Sequence, residues 1–206
     1  MNHAGPTVLV VDDDPAVLKG LSRLLRSARL DVATFSSPRE FLERHDPRAP
    51  GCLVLDVAMP GLNGLELQEA LKAKSSELPI IFLTGHGDIP MSVQAMKRGA
   101  LDFLTKPVND EDLLKAVHAA IEKDRLQRQT RAEVAEIEQR LATLTPRERE
   151  VLEHVISGQL NKQTAADLGT VEKTIKVHRA RVMEKMKVQS VAELVHLTER
   201  AGIRAA

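Results

Sequence analysis

Apolar residues fall in short runs along the first half of the chain, and most of these runs end on a polar side chain. Thr7-Val8-Leu9-Val10-Val11 meets Asp12-Asp13-Asp14, Leu53-Val54-Leu55 meets Asp56, and Ile80-Ile81-Phe82-Leu83 meets Thr84. Weaker runs occupy 32–35 and 101–104, the latter followed by Thr105-Lys106-Pro107. Unbroken apolar runs of this length predict buried strands of a parallel sheet. Between them the apolar spacing changes to that of a helix. Val17, Leu18, Leu21, Leu24, Leu25 and Ala28 share one face after Asp14-Pro15, an N-cap followed by a first-turn proline. Ser37, Pro38 and Glu40 form a capping box for a second helix, and Leu65, Leu67 and Leu71 mark a third after Gly64. A fourth helix runs over 91–98 and stops at Gly99; a fifth runs over 110–122 with Leu113, Leu114, Val117 and Ile121 inward. Five β-α units in succession predict a doubly wound α/β fold, with parallel strands and helices on both faces.

The pattern changes after 124. Residues 125–143 are polar and lack proline and glycine, and Val134, Ile137, Leu141 and Leu144 follow at coiled-coil steps. They predict a helical linker, either continuous with the preceding helix or packed on its own domain. Thr145-Pro146-Arg147-Glu148 is a capping box, and Val151, Leu152, Val155 and Ile156 follow on one face. Asn161 is placed as the cap of a short second helix ending near Leu168-Gly169; a third runs over 172–186, and Ser190 with Glu193 opens a fourth. Four helices with a tight glycine turn between the second and third predict a separate all-α helix-turn-helix domain. The expected boundaries are therefore 1–124, 125–143 and 144–206.

Composition adjusts this picture in three ways. The formal charge of the 206 residues is zero, but it divides into an acidic front and a basic tail. Residues 1–124 carry 14 Lys and Arg against 18 Asp and Glu, while 145–206 carry 11 against 8. The halves are expected to meet different partners. No apolar run reaches the roughly 18 residues of a membrane span, and Met1 to Thr7 lacks the form of a signal peptide, so the expected location is the cytoplasm, with no membrane partner. The single cysteine, Cys52, adjoins a strand run and is expected to be a small buried hydrophobe.

In a parallel sheet the strand ends converge on one edge. Asp12, Asp13 and Asp56 would crowd there and repel unless a cation joined them; oxygen ligands of this number suit Mg²⁺. A hydroxyl from Thr84 and an ammonium from Lys106 are what the remaining oxygens of a phosphoryl group need. The site looks built to take a phosphoryl group on Asp56, and no nucleotide-cradling glycine loop is present. On the third tail helix, Val171, Ile175, His178, Val182 and Met186 are placed on a core face. Lys173, Lys176, Val177 and Ala180 point away from it, with Arg181 beside them and Arg179 on the flank. Cations mixed with small apolar groups fit a major groove, and the lack of aromatics argues against single-stranded RNA. A solvated charged face remains the plain alternative.

Asp-Asp after strand one, D-x-x-M-P-G after strand three, Thr after strand four and Lys-Pro after strand five resemble the receiver domain of two-component response regulators. T-G-H-G-D-I-P-M-S-V-Q-A-M-K-R-G-A-L-D-F-L-T-K-P resembles the FixJ branch. In the tail, L-T-P-R-E-R-E-V-L, N-K-Q-T-A-A-D-L-G and T-I-K-V-H-R-A-R-V-M-E-K-M resemble the LuxR-type (NarL/FixJ) DNA-binding domain. The resemblance implies strand order 2-1-3-4-5 and Asp56 as phosphoacceptor. It implies Mg²⁺ held by Asp13, Asp56 and the Ala58 carbonyl, with Asp12 acting through a water. Thr84 and Lys106 would contact the phosphoryl oxygens, Lys106-Pro107 would be cis, and Phe103 would be a switch residue, with ordinary core as the alternative. In the tail, Lys173, Thr174, Lys176, Val177, Arg179, Ala180 and Arg181 would face DNA. Ala58, Thr105 and Val108 depart from the FixJ pattern around the phosphorylation site. Val171 stands where that family usually places a capping serine, and Thr170 could cap instead.

The reading is a transcription regulator rather than an enzyme. A sensor histidine kinase would phosphorylate Asp56; homodimerisation, or release of the tail, would permit binding to double-stranded promoter DNA, with RNA polymerase a further partner. Two rivals stand. A phosphatase forming an aspartyl-phosphate would need an acid two residues after Asp56, where Ala58 stands. Alternatively, the tail is a protein-docking module. His86, between two glycines, is expected to be solvated.

Overall fold

The computed structural model describes residues 5–85 and 89–203, and the chain divides into two compact units, 1–127 and 128–206. His86 lies outside the described residues. The first unit alternates strands and helices: β1 (Thr7–Val11), α1 (Pro15–Ser27), β2 (Asp31–Phe35), α2 (Pro38–Arg44), β3 (Gly51–Asp56), α3 (Gly64–Ala73), β4 (Ile80–Thr84), α4 (Ile89–Lys97), β5 (Asp102–Thr105) and α5 (Asp110–Ala142). The sheet is five-stranded and parallel, in the order β2-β1-β3-β4-β5. The order and the doubly wound class agree with expectation; β5 starts one residue later than its apolar run.

Strand alternation divides the sheet's side chains between two layers. Leu9, Val11, Leu53, Leu55 and Phe82 pack with Phe41 of α2 and Leu67 and Leu71 of α3. Val8, Val10, Cys52, Val54, Ile81 and Leu83 pack with Leu21 and Leu25 of α1 and with Leu113, Ala116, Val117 and Ala120 of α5. All six residues of β3 are buried, because both faces of this central strand are covered. Its start is closed tightly: a Cβ on Gly51 (φ +151°) would lie 1.9 Å from the Thr7 carbonyl oxygen. The Gly51 N–H donates to the buried Asp124 carboxylate at 3.0 Å. Cys52 is fully buried as expected; burial, then the Asp124 charge, pushes its thiol up to about 12.

Local capping chemistry sets the helix starts. Asp14 accepts from the Ala16 N–H at 2.7 Å with Pro15 in the first turn. Ser37 accepts from the Glu40 N–H, but the Glu40 carboxylate reaches back to Ser36 rather than to Ser37, so the expected box closes one residue early. Asn63 and Glu66 form a full capping box at α3 that the sequence reading passed over.

The expected linker continues α5 as far as Ala142, because nothing before that point breaks a helix. Ile137 and Leu141 on α5, with Leu144 beyond it, are buried in the core of the second unit. That core also takes Val151, Leu152, Val155 and Ile156 from α6 (Pro146–Ile156), Ala165 from α7 (Asn161–Asp167), Ile175, Val182 and Met186 from α8 (Glu172–Met186), and Leu194 from α9 (Val191–Arg200). The heptad-like steps therefore serve packing within the unit. Two expected positions change. Leu160, not Asn161, is the N-cap residue of α7, and its N–H is held by the Gln163 side chain at 2.8 Å. Val171 is 65% exposed, because as the N-cap residue of α8 it precedes the helical face on which Ile175 is buried.

Glu148 is 2% exposed, yet fully partnered. Its carboxylate accepts from Lys185 Nζ at 2.6 Å and from the Thr145 N–H at 2.9 Å. The Lys185 hydrogen bond, followed by that of Thr145, holds its pKa down at about 2. A depressed carboxyl stabilises the fold above its unfolded value near 4.5 and loses that contribution as pH falls through its folded value. Thermal unfolding of the second unit, followed by far-ultraviolet circular dichroism, should therefore weaken between pH 4.5 and 2. Glu148→Gln should flatten that dependence and cost roughly 1–3 kcal/mol at neutral pH through lost charge-assisted hydrogen bonds.

Candidate functional site

The parallel strands deliver their carboxyl ends to one edge, and the chemistry-bearing side chains gather there. Asp12 and Asp13 follow β1, Asp56 ends β3, Thr84 ends β4 and Lys106 follows β5. The β3–β4 register sets Asp56 opposite Leu83, so Thr84 stands one step beyond the carboxylate. Asp12, Asp56 and Thr84 are buried, whereas Asp13 is exposed. One carboxylate oxygen from each of Asp12, Asp13 and Asp56 lies within 4.8 Å of the others.

Lys106 bridges the acids. Its Nζ is 2.5 Å from Asp12 Oδ2 and 3.2 Å from Asp56 Oδ1. Its backbone N–H donates to the Thr84 carbonyl at 2.6 Å, which ties the end of β4 to the loop after β5, and the Lys106–Pro107 peptide is cis, as expected. The other Asp12 oxygen accepts from the Asp14 N–H at 2.9 Å. The Asp56 carboxylate also accepts a backbone hydrogen bond from Ala58, an exposed residue. Gly64, at the start of α3, is essential to the crowding: a Cβ there would meet the Asp56 carbonyl oxygen at 2.4 Å.

Burial raises the Asp56 pKa and the charge of Asp12 adds to the rise; Lys106 and the Ala58 N–H act against it without cancelling it. Burial alone would lower Lys106, but its hydrogen bond to Asp12 and the charges of Asp12 and Asp56 prevail, and its ammonium is held above the ordinary range. Three carboxylates against one ammonium leave an excess of negative charge. Oxygen donors of this kind suit a hard divalent cation.

Phe103 is half-buried against the α2–α3 side of the core, 6.3 Å from the Phe82 ring with the planes at 43°. Beside the acids, Val17, Leu21 and Leu24 of α1 face Pro107 and Val108 across an open groove of about 600 Å³ that reaches Lys106.

On α8, Lys173, Lys176, Val177, Ala180 and Arg181 are exposed, while Thr174 and Arg179 are half-buried. Ile175, Val182 and Met186 lie beneath them in the core. Arg179 donates to Asn161 Oδ1 at 3.2 Å, which fixes it against α7, and Lys176 pairs with Glu172 at 3.1 Å. His178 is half-buried, with Nδ1 lacking a hydrogen-bond partner. The sequence reading missed the Asn161 role. An amide inside the first turn of a short helix, rather than at its cap, was the available signal.

A parallel sheet in this order with an acid cluster at its edge, followed by a helix-turn-helix unit, defines a receiver joined to a DNA-binding domain. The comparisons agree. Residues 8–118 match the response regulator receiver domain, and residues 142–198 match the luxR family of bacterial regulatory proteins. Nodulation protein W of Bradyrhizobium diazoefficiens is 48% identical over 198 residues, covering 96% of this chain and 87% of the relative. Transcriptional regulatory protein FixJ of the same organism is 43% identical over 196 residues, covering 95% and 96%. The solved response regulator StyR superposes with a TM-score of 0.87 at 50% identity, covering 96% of this chain and all of StyR. The chain belongs to the FixJ/NarL family of two-component response regulators. It is a transcriptional regulator and not an enzyme, as its relatives are, and the phosphatase rival falls. Its family implies a kinase partner and DNA binding. Among the described residues no helix is long and apolar enough to cross a membrane.

A carboxyl whose folded pKa is raised destabilises the fold increasingly as pH climbs from its unfolded value near 3.8 through its folded value. In the absence of divalent cations, Asp56→Asn should therefore melt higher than wild type at pH 7, by roughly 2–4 °C. The difference should vanish by pH 3, where both side chains are neutral. Calorimetry across pH in the presence of a chelator checks it.

Proposed function

We propose that Asp56 is the phosphoacceptor and that its phosphorylation governs DNA binding by the second unit. The observation that carries this reading is the bridge from Lys106 to both Asp12 and Asp56 inside a cluster of three carboxylates. Asp12, Asp13, Asp56 and the Ala58 carbonyl would hold Mg²⁺. Bound there, the ion supplies positive charge against the oxygens of the transferring group. An Asp56 carboxylate oxygen attacks phosphorus; the O–P bond forms as the N–P bond of a kinase phosphohistidine breaks. Lys106, already between the acids, neutralises a phosphoryl oxygen, and the Thr84 hydroxyl hydrogen-bonds another. The groove beside α1 is the natural seat for the donor, since Val17, Leu21 and Leu24 give it an apolar wall and it opens onto Lys106.

The acyl phosphate adds about 1.5–2 negative charges. Thr84 turns toward it and Phe103 follows into the space vacated. This remodels the α4–β5–α5 face, where Val93 and Met96 of α4 are each 46% exposed, and two copies pair there. Paired tails then bind double-stranded promoter DNA through Lys173, Thr174, Lys176, Val177, Arg179, Ala180 and Arg181 and recruit RNA polymerase, in the cytoplasm. Linkage of two weak binders raises affinity by effective concentration.

Size-exclusion chromatography with light scattering tests the first half. With Mg²⁺ and beryllofluoride, wild type should double in mass and Asp56→Asn should not; an unchanged wild type with beryllofluoride bound would overturn pairing. The DNA half predicts steep salt dependence. With Lys173, Lys176, Arg179 and Arg181 of each α8 facing DNA, affinity for promoter DNA should fall at least ~10³-fold between 50 and 200 mM salt, whereas apolar docking to a protein would hardly change.

A further inference from the structure

Val171, like the exposed Leu160 before α7, is an apolar residue in a capping position. Asp14, Ser37, Asn63, Thr145 and Ser190 each accept a first-turn N–H through a side-chain oxygen. At α8 the residue in that position is a valine with no such bond, and the preceding Thr170 does not take its place. A missing side-chain cap costs about fivefold in a folding equilibrium. Nor does Val171 contribute to the core. It is 65% exposed, and Ile175, one turn further on, fills the buried position. A large apolar side chain thus stands in solvent at the start of the longest helix of the tail, with Lys173 and Lys176 exposed just beyond it.

In a helix-turn-helix the first residues of the second helix of the motif, here α8, are the ones that meet base edges. Valine offers neither donor nor acceptor, so phosphate is not its target. The apolar feature of the major groove is the C5 methyl of thymine. From this, and resting on the assignment of α8 to the major groove, we infer that Val171 is a specificity-determining residue that packs against a thymine methyl in each half-site. It acts in addition to Val177, which lies further along α8. The lost cap and the exposed apolar group are two sides of one choice: serine would stabilise the helix start but could not distinguish thymine from cytosine by its methyl.

The test uses the full chain with Mg²⁺ and beryllofluoride. Wild type, Val171→Ser and Val171→Thr each select from a random-sequence duplex pool; thymines in the recovered motif are then replaced one at a time by deoxyuracil, which removes only the methyl. One thymine per half-site should be found at which deoxyuracil weakens wild type about fourfold. Val171→Thr, which keeps a methyl, should retain that sensitivity. Val171→Ser should lose it, with a relaxed preference at that position, while melting roughly 4 °C higher. The inference is overturned if deoxyuracil affects wild type and Val171→Ser alike at every thymine, or if Val171→Ser changes only the melting temperature. Failure of wild type to enrich any sequence would instead overturn the DNA-binding reading itself.

Discussion

Like charge held together by an apolar sheet is the constraint on which the rest of the receiver depends. β1 and β3 are adjacent and parallel, so burying Val10, Val11, Val54 and Leu55 also forces Asp12 and Asp56 side by side. Neither acid can move away without drawing a strand out of the core. Lys106 relieves part of the repulsion, and its own position depends on the backbone bond from its N–H to Thr84. The site is therefore strained electrostatically rather than sterically. A cation there would relieve it, whereas a phosphoryl group, with its own negative charge, would shift the balance again through the same few groups.

The tail solves the opposite problem. Glu148 is as deeply buried as Asp12, but its charge is matched by Lys185 and by a backbone amide, and its pKa falls where that of Asp56 rises. One buried carboxylate is neutralised within the fold and stabilises it; the other is left short of positive charge. Burial alone does not tell them apart: each has an ammonium and a backbone amide, but Asp56 shares its lysine with a second carboxylate, Asp12, and Glu148 does not.

Much of this was legible in the sequence. The apolar runs specified β1, β3 and β4, and the polar residue after each run specified the site, because a parallel sheet leaves no other place for it. What escaped depended on side chains meeting across elements or on competition within a single turn. Nothing local says that Asp124 reaches Gly51, or that Arg179 is held by Asn161. The α7 cap moved from Asn161 to Leu160 because Gln163 could satisfy the earlier N–H. Ile137 and Leu141 gave a coiled-coil spacing, yet packing against one's own domain and against a partner helix use the same period. The helical face drawn from Val171 failed for a simpler reason: helical periodicity begins only once the backbone is helical.

Cys52 gives the molecule a built-in clock. It is the single thiol of the chain, it lies on the central strand with no exposed surface, and its pKa of about 12 leaves almost no thiolate at neutral pH. A thiol-modifying reagent can reach it only when β3 comes away from its neighbours. The rate of alkylation in native buffer then reads the frequency of that opening directly. Any event that makes β3 open less often should slow that rate, so the strand that ends at Asp56 carries its own reporter four residues earlier, with no label and no mutation needed.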